Sequence, residues 1–143
     1  MKGLVDLRVK VMNRKDAVRY SYRPQNEDSV VISIGDVESV YHDSIFPSIY
    51  NKICSVLPLK FDDVDGGKNC ITKEDAQMIK SFVGRHKDKL IIVHCDGGIS
   101  RSAGIAAALL KFYNGDDSEI FDNGRYCPNM LCYRTMLNVL EGE

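Results

Sequence analysis

Leu90–Ser102 reads LIIVHCDGGISRS, and the order of residue types in it decides the fold. An apolar run rich in β-branched residues ends in His94 and Cys95. A glycine pair follows at Gly97 and Gly98, and Arg101 and Ser102 close the stretch. Ala103–Tyr113, directly after it, is apolar at almost every position. The first run reads as a buried strand and the last as a buried helix. A strand that turns through glycines into a helix start points loop amides at one spot, where the helix dipole also favours negative charge. Most such loops only hold an anion. This one has a thiol at its base and a guanidinium at its rim.

Each part has a chemical reason. A free thiol titrates near ~8.5, so only a few per cent is thiolate at neutral pH. Loop amides and a helix N-terminus can bring a thiol to roughly 4–7, and two units of that shift are worth about 2.7 kcal/mol. Cys95 is therefore the candidate nucleophile. Arg101 can offer two parallel donors to two oxygens of a tetrahedral oxyanion, which a lysine cannot. The loop positions Asp96, Gly97, Gly98, Ile99 and Ser100 are expected to bind the same oxyanion together with Arg101, where charge develops in the transition state. Ser102 can donate to the sulfur as it leaves. His94 precedes the cysteine on the strand, so its side chain is expected on the opposite face. It reads as a group that orders the loop, and not as the base.

His94-Cys95-x-x-Gly98-x-x-Arg101-Ser102 resembles the signature of the cysteine-dependent protein tyrosine phosphatases, and the compact dual-specificity branch in particular. The resemblance covers roughly Val30 to Leu140. VVISIGD at Val30–Asp36 is similar to that family's early core strand, and Pro128-Asn129 to a pair it places before its last helix. It implies hydrolysis of phosphotyrosine, phosphoserine and phosphothreonine monoesters through a phosphocysteine intermediate. It also implies a general acid from a loop upstream of the cysteine. Leu57–Gly67, LPLKFDDVDGG, offers Asp63 first, with Asp62 and Asp65 as alternatives. That acid would protonate the leaving oxygen, then act as base for the water that cleaves the phosphocysteine. The glycines there suit a loop that moves. Asn129 is read as a helix N-cap with no further role. The family's lipid phosphatases carry lysines inside the signature loop, and Asp96, Gly97, Ile99 and Ser100 include none, which argues against a phosphoinositide. Asp96 is unusual beside an anion site and is expected to point outward.

Other classes remain open. A catalytically silent phosphate-binding module would share the loop. A rhodanese-type sulfurtransferase also uses a loop cysteine at a helix start, although the Arg101-Ser102 ending favours phosphate. Arg125 is an outside candidate for contact with substrate phosphate.

Composition limits the rest. The chain has 143 residues, 44% of them hydrophobic and 27% charged, which suits one globular catalytic domain over residues 1–143. A formal net charge of −1 gives no general attraction to nucleic acid or an anionic membrane, and neither partner is expected. A monomer acting on a phosphorylated protein or small phosphomonoester is the expectation. No signal peptide, spanning segment or lipidation motif is read, so a cytoplasmic location is expected. The five cysteines, Cys54, Cys70, Cys95, Cys127 and Cys132, lack Cys-x-x-Cys spacing. Neither a disulfide framework nor a metal site is expected, and no cofactor is required. Cys54 and Cys70 are candidate disulfide partners that could protect Cys95.

The fold expectation is α/β, with a single central sheet flanked by helices and the catalytic loop between a core strand and a buried helix. Strands are expected at 6–12, 30–34, 54–61 and 89–93. Helices are expected at 13–20, 42–53, from Thr72 (with a capping box through Asp75), at 102–113, at 116–123 and at 129–140. Pro58 places the third strand at an edge.

Overall fold

The computed structural model describes residues 6–38 and 53–142. Four strands, β1 (Val9–Asn13), β2 (Ser29–Gly35), β3 (Ile53–Lys60) and β4 (Leu90–Cys95), pair in parallel in the order β1-β4-β2-β3. Between and after them come α1 (Arg14–Ser21), α2 (Lys73–Arg85), α3 (Arg101–Asn114), α4 (Ser118–Phe121) and α5 (Met130–Leu140). This is the expected α/β architecture, one sheet with helices packed on it.

Apart from Ser29, Ser33 and His94, the two central strands carry no polar side chain, because both faces of a parallel sheet are covered. Their side chains alternate between two cores. Val30, Ile32 and Ile34 of β2, with Ile91, Val93 and Cys95 of β4, enter the larger core beneath α2, α3 and α5. Val31 and Ile92 enter the smaller core on the other face, against Met12 and Tyr20. Ser33 and His94 share that second face as a paired register position. Pro58 lies on β3, an edge strand, where its missing N–H breaks no inner ladder.

α3 is the helix at the centre of the packing. Arg101 through Leu110 are all buried, and one side of it meets the large core while Ala103, Ala106, Ala107 and Leu110 meet α4. Gly104 allows this closeness. A Cβ there would stand 2.5 Å from the Asn129 carbonyl oxygen. Truncating Ile105, fully buried in this layer, removes about 2–5 kcal/mol.

Helix ends follow the chemistry of their caps. Asn13 accepts from the Asp16 N–H, Thr72 and Asp75 make the reciprocal capping box, and Gly115 closes α3 at φ 81°. Some limits differ from the sequence reading. β1 begins at Val9, since the Leu7 N–H and C=O pair with the Asn114 side-chain amide at 2.8 and 2.9 Å. The acidic helix shrinks to Ser118–Phe121, because the Asp116 carboxylate instead accepts from the Ser118 N–H. The helix expected at 42–53 falls outside the described residues, apart from Ile53, which opens β3.

Candidate active site

The loop between β4 and α3 is held by its carbonyls. Asp96 O accepts from Arg14 N at 3.3 Å, Ile99 O from Cys127 N at 2.9 Å, and Ser100 O from both Asn129 N and Gly104 N at 2.9 Å. In a trans peptide the following N–H points the opposite way. The N–H groups of Gly97, Ser100 and Arg101 are therefore turned to the loop's inner side, as an anion cradle requires. Gly98 makes the tight corner. Its φ is +65°, and a Cβ would lie 2.5 Å from Asn13 N. Both facts demand glycine.

Cys95 ends β4 and is 2% exposed, and its Sγ lies 3.1 Å from Ser102 Oγ. Arg101, in the first turn of α3, is 5% exposed. Its Nη1 donates to Asp36 Oδ1 and to the Phe61 carbonyl, each at 2.7 Å. Its Nη2 stands 4.0 Å from Asp96 Oδ2, beyond a hydrogen bond. Its Nε is buried with no hydrogen-bond partner among the described residues. One edge of the guanidinium is thus anchored, and the Nε–Nη2 fork remains for two oxygens of an anion. A buried, unsatisfied donor in a native site needs such an acceptor.

The three aspartates of the upstream loop separate by what they hold. Asp62 ties its own loop to the segment after β2. Its Oδ1 accepts from Val37 N at 2.9 Å, its Oδ2 from Asn69 Nδ2 at 3.2 Å, and its N–H donates to Asn69 O at 2.7 Å. Asp63 reaches the Cys95–Ser102 loop: its Oδ1 accepts from Ser100 Oγ and from Asn129 Nδ2, both at 2.8 Å. Asp65 is exposed and makes no hydrogen bond among the described residues. Asn129 also donates to Val64 O at 3.0 Å while its Oδ1 caps Cys132 N. Its reading as a cap alone was too narrow. One side chain starts α5, ties down the aspartate loop and touches Asp63.

His94 is fully buried beneath the loop, with Nε2 2.6 Å from Ser33 Oγ. Burial, reinforced by the Arg14 charge, lowers its pKa to about 4, so it is neutral at physiological pH. The Asp96 side chain pairs with Arg14, at 2.9 Å from Nε and 2.6 Å from Nη2, on the β1 side of the loop. All five cysteines are free. Cys54 is exposed, Cys70 half-buried and Cys132 buried, its thiol pushed up to about 12 by burial and then by Asp63.

Asp36, Asn129 and Arg14 are contributors that sequence reasoning missed. Asp36 directly follows β2 at the carboxyl edge of the sheet, next to β4, which is where such folds gather ligand groups. That position was its only signal. Among the described residues no group of three or more His, Cys, Asp or Glu could hold a metal ion, and no helix is long and apolar enough to cross a membrane.

No known family model matches the sequence, and no curated protein matches it. Solved structures do. PTPMT1 in complex with PI(5)P is similar with a TM-score of 0.59 and 14% identity, over 97% of this chain and 94% of that one. Tk-PTP in the active form gives 0.56 and 16%, over 99% and 95%. The human tyrosine phosphatase-like serine/threonine/tyrosine-interacting protein gives 0.56 and 19%, over 79% and 76%. The chain shares its fold with these solved structures.

Proposed function

We propose that this chain is a cysteine-dependent phosphatase of the compact dual-specificity type, cleaving phosphotyrosine, phosphoserine and phosphothreonine monoesters. The observation that carries the reading is the convergence on one loop of three groups. They are the Cys95 thiol, the uncommitted fork of Arg101, and Asp63, whose carboxylate meets Ser100 from outside.

The Cys95 thiolate attacks phosphorus in line, forming the S–P bond as the ester P–O bond breaks. Asp63, protonated, gives its proton to the departing oxygen. Arg101 and the inward amides of the loop hold the three equatorial oxygens, where charge gathers in a loose transition state. Asp63, now a carboxylate, takes a proton from a water that attacks the phosphocysteine. The S–P bond breaks, inorganic phosphate leaves, and Ser102 donates to the returning thiolate. Asp62 is a poor acid candidate because both of its oxygens are already occupied, by Val37 N and Asn69 Nδ2. His94, neutral and on the far face of β4, acts as support for the loop through Ser33. Asp36 and the Phe61 carbonyl orient Arg101.

The test is hydrolysis of p-nitrophenyl phosphate with a chelator present. Wild type is expected to turn over without metal and to be inhibited by vanadate. Cys95→Ser is expected to lose about 10⁴-fold or more. Turnover that survives the substitution, or that needs a divalent metal, overturns the mechanism.

A further inference from the structure

A cleft of about 360 Å³ borders the catalytic loop at Gly97, Gly98 and Ile99, with Asp16 and Arg125 on its walls. A second cleft of about 410 Å³ shares Val11, Met12, Asp16 and Arg125 with it and continues past Lys10, Arg19 and Arg23. The shared walls make one trough, running from the loop along α1. Its charge is one-sided. Lys10, Arg19, Arg23 and Arg125 face a single acid, Asp16, which lies 4.0 Å from Arg19. Lys10, Arg23 and Arg125 have no carboxylate partner among the described residues. Such a concentration stands out in a chain whose formal net charge is −1. Unpaired cations along a concave wall focus potential and attract an anionic ligand.

We propose that this trough is a second anion-binding subsite, which selects phosphopolypeptides carrying acidic side chains or a second phosphate beside the target residue. The proposal deepens the phosphatase reading and rests on it. Shape favours a peptide over other polyanions. Arg19 lies in the last turn of α1 and Arg23 just past its C-cap Tyr22, and the trough leads on from there to the loop. A peptide laid along the trough from the loop would bring acids flanking the phosphorylated residue beside these cations. A nucleic acid would want a broad basic face, which this net charge does not supply. An inositol phosphate ring would want cations inside the signature loop, where Asp96, Gly97, Ile99 and Ser100 stand instead.

The test measures binding and turnover separately. Fluorescent phosphotyrosyl peptides flanked by glutamate or by alanine are titrated against Cys95→Ser protein, alone and with Arg23→Glu/Arg125→Glu added. The glutamate peptide is expected to bind roughly tenfold tighter than the alanine peptide, about 1.4 kcal/mol. That advantage is expected to vanish in the charge-reversed protein and to shrink as salt is raised. With active enzyme, the ratio of kcat/KM on the glutamate peptide to that on p-nitrophenyl phosphate should fall by a similar factor in the charge-reversed variant. Using a ratio removes any general loss of fold or activity. Equal binding of the two peptides, or a preference that survives charge reversal, overturns the subsite. So does tight binding to phosphatidylcholine vesicles containing a phosphoinositide, lost on charge reversal, without a glutamate preference. If wild type fails on p-nitrophenyl phosphate while the glutamate preference persists, the subsite stands and the phosphatase reading falls.

Discussion

The Cys95–Ser102 loop and the aspartate loop both lie at the same edge of the sheet, yet they are built on opposite principles. From Cys95 to Ser102 every chemical group sits within one contiguous segment, and backbone bonds to Arg14, Cys127 and Asn129 lock it from outside. From Phe61 to Ile71 three aspartates of nearly equal promise stand close together, and partners distant in sequence decide what each does. A function written into local spacing can be read directly. A function assigned by long-range contact cannot.

The largest expected effect lies in the first loop. Arg101→Lys keeps the charge but loses the fork held by Asp36 and Phe61, and kcat/KM should fall by about 10³-fold or more. Steady-state kinetics on p-nitrophenyl phosphate measure it. A loss below tenfold would show that charge alone suffices there, and the contrast between the loops would weaken.

The support beneath that loop gives the next effect, on stability. The unfolded chain protonates His94 near 6.5, while the folded chain resists until about 4. Across that window the unfolded state binds more protons. The His94 contribution is therefore fully present above 6.5 and is lost as pH falls toward 4, by roughly 3 kcal/mol at its limit. His94→Gln should remove this part of the acid sensitivity. Urea unfolding at pH 7 and pH 4.5 compares the two proteins, and identical pH slopes would refute the assignment.

The aspartate loop supplies a direct contest. Asp63→Asn should lower kcat about 10²-fold and abolish the alkaline limb of the pH–rate profile, because the amide can neither give nor take the proton. Asp62→Asn should keep that limb and instead lower the melting temperature, since it weakens the bonds to Val37 and Asn69. Exchange of the two phenotypes would reassign the acid.

Asn129→Ala gives the smallest effect and the finest resolution. It removes a cap worth about 1 kcal/mol and the donor to Asp63. Turnover should drop by about tenfold with KM nearly constant, a split that a purely structural cap would not produce. Asn129→Asp, which preserves the cap but repels Asp63, should restore stability and leave turnover low.

Much of the molecule was legible because its signals are local. The β-branched run to Cys95, the apolar stretch of α3, the Thr72–Asp75 box and the Gly115 stop each act within a few residues. The limits that shifted did so through distant partners. The Asn114 side chain takes the backbone of Leu7 out of β1, and no pattern in either segment announces that pairing.

By itself, then, the sequence determined the α/β order and placed the thiol, glycine corner and arginine of the candidate loop together, since helix, strand and tight-turn preferences depend on neighbours along the chain. Tertiary structure alone decided that Asp63 and not Asp62 meets that loop, that Asp36 turns the Arg101 fork, and that Asn129 joins α5 to the aspartate loop. The reason is physical. A carboxylate's role depends on which donors surround it, and here those donors lie 25 to 66 residues away along the chain and become neighbours only when the sheet and α5 have packed.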